Sequence, residues 1–253
     1  MSDLEVQQAA EAAPGLSQWQ RVTSTFFAPS KTFADIKRGN RSWWLPFILI
    51  AIAGYILFAA VSLKIGMQQV VDNQIHMSPK AEERLAQATP EQRELSSKIS
   101  LAITEGVFVA NPLMTLAFVA LLSVGLWGTM NFLFGGTATY KSIFAMWMYA
   151  WLPSVIKTLM GVIVIFSGIA PESFNIKNFA PTNIAAFLSP ADINPVLYSL
   201  LSSLDLITIW TLILLSIGAA TVAGVKRSSG YLAVFGWWII FILVGMGWAA
   251  AFG

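Results

Sequence analysis

Followed for its alternation of apolar and polar positions, the chain divides into five long apolar stretches, a mixed segment ahead of them and a polar connection between the first two. The apolar stretches run from about Trp43 to Leu63, Val107 to Phe134, Ile143 to Ser167, Val196 to Ala223 and Tyr231 to Phe252. A hydrocarbon core about 30 Å thick takes about 20 helical residues at roughly 1.5 Å each, so every stretch is long enough to cross it. The pattern predicts an all-α integral membrane protein, with five transmembrane helices in residues 43–253 and an extramembrane segment at 1–42.

Within that first segment Leu16, Trp19, Val22, Thr23, Phe26 and Phe27 recur at helical spacing, and Pro29-Ser30 opens a second short pattern through Phe33 and Ile36. Both read as amphipathic helices. Trp19, Phe26, Phe27, Phe33, Lys37, Arg38 and Arg41, with Trp43 and Trp44 at the start of the first span, are expected as interfacial anchors beside an anionic membrane surface. The alternative is a polar tail packed on its own protein. The segment has no unbroken apolar core with a small-residue cleavage site, so a cleaved signal peptide is not expected.

The connection at 64–106 holds six of the 13 acidic residues. Ser78-Pro79 and Thr89-Pro90 each join an N-cap residue to a proline at the first helical position, and Thr89-Pro90-Glu91-Gln92 is a capping box. Leu95, Ile99 and Ile103 continue a stripe toward the second span. The pattern predicts a helical hairpin standing on the membrane, either a docking surface for a partner or a solvated spacer.

Composition agrees with a bilayer setting: 56% of the 253 residues are hydrophobic and 11% charged, against about 25% charged in a soluble domain. The 15 basic and 13 acidic residues nearly cancel, which removes the field that nucleic-acid binding would need. Zero cysteines exclude disulfides, iron–sulfur clusters and thiolate zinc sites. Basic residues near the span ends set the orientation. Lys31, Lys37, Arg38, Arg41, Lys141, Lys226 and Arg227 share one side, against Lys64, Arg93, Lys98 and Lys177 on the other, so the N-terminus is expected in the cytoplasm and the C-terminus outside.

Two ionisable residues, Lys157 and Asp205, fall inside spans, where charge is rare enough to mark a candidate site. Both lie roughly 13 to 15 Å from the same face at 1.5 Å per residue, so they are expected to pair across neighbouring helices. Such a pair serves either as a structural lock or as a proton or ion relay, and Lys157 alone could snorkel to the surface. Ser154 and Lys157 have the serine-x-x-lysine spacing, yet the chain has neither Ser-Asp-Asn nor Lys-Thr-Gly to complete that enzyme site. His76 is the sole histidine, which leaves no metal cluster and no serine–histidine relay, and Gly135-Gly136 reads as a turn. No catalytic residue, metal ligand or cofactor site is expected. Pro112 and Pro153 sit inside spans and should kink them, and Ala220 with Gly224 forms a small-residue face for a close helix or subunit contact.

These residues together resemble the Yip domain family of Ypt-interacting proteins, in its bacterial form. The resemblance rests on Phe27-Ala28-Pro29 through Phe33 and Ile36, on Thr89 to Gln92, on Tyr140-Lys141 followed by Tyr149-Ala150-Trp151-Leu152-Pro153, on Ile209-Trp210 with Gly218, and on the loop Lys226 to Gly230. It implies a five-helix protein of the bacterial cytoplasmic membrane with a cytoplasmic N-terminus. Eukaryotic relatives bind prenylated small GTPases and one another; the Tyr-Gly-Pro element they carry is absent from residues 1–42, which puts GTPase binding in doubt here. Some bacterial relatives look like accessory membrane subunits beside ABC-type exporters. The expected function is a non-enzymatic membrane adaptor or scaffold, homo- or hetero-oligomeric. The alternative is a small transporter or channel-like protein in which Lys157, Asp205 and the prolines line a polar route.

Overall fold

The computed structural model describes residues 15–252; residues 1–14 of the expected N-terminal segment and Gly253 lie outside the described residues. Helices α1 (Gln18–Phe27), α2 (Pro29–Lys37), α3 (Trp44–Lys64), α4 (Met67–His76), α5 (Pro79–Gln87) and α6 (Pro90–Gly128) fill the first half. Helices α7 (Tyr140–Ala150), α8 (Pro153–Phe166), α9 (Pro195–Ser203), α10 (Leu206–Ala223) and α11 (Arg227–Phe252) fill the second. Among the described residues five units are long and apolar enough to cross a membrane: α3, α6 with the π-helical turn Thr129–Leu133, α7 with α8, α10, and α11. This is a multi-pass membrane protein.

Local chemistry explains the ends. Ser17 and Thr89 form capping boxes with Gln20 and Gln92, and Ser78 caps α5, so the expected helical hairpin at 64–106 is α4, α5 and the first turns of α6. Pro112 does not interrupt α6. Pro153 does mark a break, because it starts α8 after the turn at Trp151-Leu152 and splits the third span. The fourth span also departs from expectation. It begins at Leu206, and Val196 belongs to the separate short helix α9, which ends at Ser203. Asp205 is therefore the N-cap of α10 and not a residue midway along a continuous helix.

Between helices in lipid, close approach does the work that water-driven burial does elsewhere, and small residues permit it. A Cβ at Gly218 would come within 2.6 Å of Met146, and one at Gly230 within 2.2 Å of the Ser216 carbonyl oxygen and 2.9 Å of the Ala220 Cβ. Ala220 accordingly sits in a close contact between α10 and α11. Gly224 does not share that contact. Its φ of 72° makes it the left-handed residue that ends α10, with the Lys37 ammonium 2.9 Å from where its Cβ would stand.

The N-terminal helices pack against the bundle. Phe33 is fully buried and would be the near neighbour of a Cβ at Gly218, while Phe26 meets Trp210 edge to face at 5.6 Å. Lys37 lies beside Gly224. Thus α2 runs alongside α10, and α1 and α2 form a hairpin whose Phe27-Ala28-Pro29 turn lies toward the Trp210 end of α10 and whose Lys37 lies toward the Gly224 end. Pro29, which has no backbone N–H to continue α1, makes that turn. Phe33 is thus core and not an anchor. Trp43 packs on Phe47 and Phe144, whereas Trp19, Phe27 and Trp44 keep most of their surface exposed.

Candidate functional site

Two buried charge clusters stand at opposite ends of the bundle. At the far end from the hairpin, the Lys157 ammonium in α8 donates to Asp205 Oδ2 at 3.0 Å. The same oxygen accepts from the Thr182 hydroxyl and from Asn183 Nδ2 at 3.2 Å. The other oxygen caps α10, accepting from the Thr208 amide at 2.8 Å and the Thr208 hydroxyl at 3.1 Å. Asp205 is 1% exposed and the Lys157 side chain 25%. The carboxylate thus fastens the loop at 180–183 to two spans, and the Leu206 amide reinforces it by donating to the Thr182 carbonyl at 2.9 Å.

The network continues outward through uncharged groups. Asn183 and Asn178 exchange side-chain hydrogen bonds at 2.8 and 3.1 Å, and Asn175 donates to the Tyr198 hydroxyl at 3.0 Å. Asn175, Asn178 and Tyr198 wall two neighbouring cavities of about 960 and 450 Å³ in the loop region. The amides and hydroxyls supply hydrogen bonds but no nucleophile with a base, and no group of three or more metal-ligating side chains occurs among the described residues.

The cluster at the hairpin end has no counterpart in the expectations from sequence. Arg21 and Asp35 are both 1% exposed, with Nε 3.7 Å from Oδ2. Arg21 Nη1 donates to the carbonyls of Asn40 at 2.6 Å and Ser42 at 3.2 Å, and its guanidinium lies 5.2 Å from the centre of the Tyr149 ring. The Tyr149 hydroxyl donates to the same Ser42 carbonyl at 3.0 Å. Asp35 also accepts from Arg38, Asn40 and the Leu16 amide at 3.1, 2.9 and 3.1 Å. One signal for this clasp was in the sequence. Arg21 falls on the stripe of Val22 and Thr25, and Asp35 lies between Thr32, Phe33 and Ile36, so both charges occupy the apolar faces of their helices.

Helix order, the proline-led hairpin and the five spans now define the chain for comparison with known proteins. The Yip1 domain model matches residues 23–249. The chain belongs to the Yip1 domain family. The matched region takes in α2 to α10 entire, with Asp35, Tyr149, Lys157 and Asp205 inside it, and leaves Arg21 two residues outside. No curated protein and no solved structure matches this Yip1 domain chain.

Proposed function

We propose that this Yip1 domain protein is a non-enzymatic membrane adaptor, with α6 as its docking element. The supporting observation is the balance of length and burial in that element. With its π-helical turn α6 spans 44 residues, and only 11% of its most apolar stretch is buried in the chain. Its first turns carry exposed Leu95, Ile99 and Ile103 at four-residue spacing, continued by Val107. An apolar stripe on a projecting helix is suited to a second helix. The basic residues at the hairpin end support a cytoplasmic N-terminus and an outer C-terminus in a bacterial cytoplasmic membrane.

The relay and transporter reading finds less support. A relay carboxylate must exchange partners, whereas Asp205 has both oxygens occupied and serves as the cap of α10. We read the pair as a lock.

The absence of native cysteine allows a clean test. Leu95→Cys or Ile99→Cys in native membranes should crosslink to a defined membrane protein. Ser97→Cys should not, because Ser97 faces α4 through Gln68 at 3.0 Å. Adducts that form equally at all three positions, or solute flux in proteoliposomes abolished by Asp205→Asn, would replace the adaptor with the transporter reading.

A further inference from the structure

Among the described residues the hairpin end of the bundle is chemically one-sided. Lys31, Lys37, Lys141, Lys226 and Arg227 are exposed there. Among the described residues the carboxylate at this end is Asp35, which is buried and already engaged by Arg21, Arg38 and Asn40. Tertiary structure gathers these cations from separate stretches of chain. Arg227 donates to the Ser30 hydroxyl at 3.2 Å, next to Lys31, and Lys37 lies against Gly224, two residues before Lys226. None of the five exposed cations lies within ion-pair distance of a carboxylate among the described residues.

An apolar group completes the surface. Phe27 is 88% exposed at the hairpin turn, although its neighbour Phe26 packs on Trp210 within the fourth span. An exposed ring of this kind suits acyl chains, and the cations next to it suit headgroup phosphates. The combination is complementary to a phospholipid that carries net negative charge.

We propose that the hairpin end is a binding surface for anionic phospholipids, in which Lys31, Lys226 and Arg227 hold the headgroups and Phe27 contacts the chains. This goes beyond the adaptor reading, because it concerns the lipid and not a partner protein. It is also independent of orientation in vesicles whose leaflets are alike.

The full chain, reconstituted in phosphatidylcholine vesicles, would be probed with spin-labelled phosphatidylglycerol or spin-labelled phosphatidylcholine, and the motionally restricted fraction of each measured. Phosphatidylglycerol should associate more strongly by roughly fivefold for each engaged cation. The variant K31Q/K226Q/R227Q should bring the ratio toward one, while K31R/K226R should keep it. A dye on Phe27→Cys should be quenched by chain-labelled lipid and spared by aqueous iodide. Equal association of the two lipids, or an unchanged preference in the triple glutamine variant at wild-type helicity, would overturn the proposal. If that variant does not fold, salt decides. A wild-type preference that survives about 1 M salt, where exposed charges are screened within about 3 Å, is not electrostatic and the proposal fails.

Discussion

The ion pairs at the two ends of the bundle fasten different segments by the same means, but they distribute their partners differently. At the hairpin end both charges are buried, and Arg21 is the hub, holding the Asn40 and Ser42 carbonyls, Asp35 and the Tyr149 ring. At the other end the carboxylate is the hub. Asp205 collects Lys157, Thr182, Asn183 and Thr208, while Lys157 keeps a quarter of its side chain exposed. In each case a segment outside the regular spans, the hairpin or the loop at 180–183, is held to helices. Charge in this bilayer protein is spent on attachment, and the cost of deleting a group should follow its place as hub or satellite.

The largest effect is expected for Arg21→Met, which leaves the Asn40 and Ser42 carbonyls without their donor and takes from Asp35 its buried cation, leaving it only Arg38, Asn40 and the Leu16 amide, and should cost about 4 kcal/mol. Denaturant titration in detergent micelles should show the loss, and limited proteolysis should cut first between α2 and α3. Asp205→Leu should follow at about 3 kcal/mol, since it removes the cap of α10 and leaves Lys157, Thr182 and Asn183 without their acceptor. Lys157→Met should cost only about 1.5 kcal/mol, because three other residues still donate to Asp205. If Lys157→Met proves as damaging as Arg21→Met in the same titration, the distinction between hub and satellite fails. Combining Lys157→Met with Asp205→Leu should cost less than the sum of the single changes, as a double-mutant cycle would reveal. The smallest effect is expected for Gly224→Ala, about 1 kcal/mol, from a Cβ forced into the left-handed region beside Lys37.

The two clusters also differed in how far sequence revealed them. Lys157 and Asp205 stood out because they interrupt long apolar stretches, where any charge is conspicuous. Arg21 and Asp35 lay in a segment already rich in basic residues, so nothing in composition set them apart. Their burial was legible only as a charge on the apolar stripe of a short helix, a pattern that a solvated face also produces. Thr182 and Asn183 come from a loop without periodicity, and their convergence on Asp205 could not be derived from spacing.

What sequence alone determined is the set of elements whose physics is local. Five apolar stretches long enough to satisfy all their backbone hydrogen bonds must become spanning helices, and capping boxes at Ser17 and Thr89 fix where neighbouring helices start. Only the tertiary structure decided the partners. An amphipathic period states that a helix has an apolar face, but lipid and protein satisfy that face equally well. For α2 the choice fell to the space that Gly218 leaves for Phe33, and with it came the packing of the hairpin along α10, the burial of Asp35 and the exposure of Phe27.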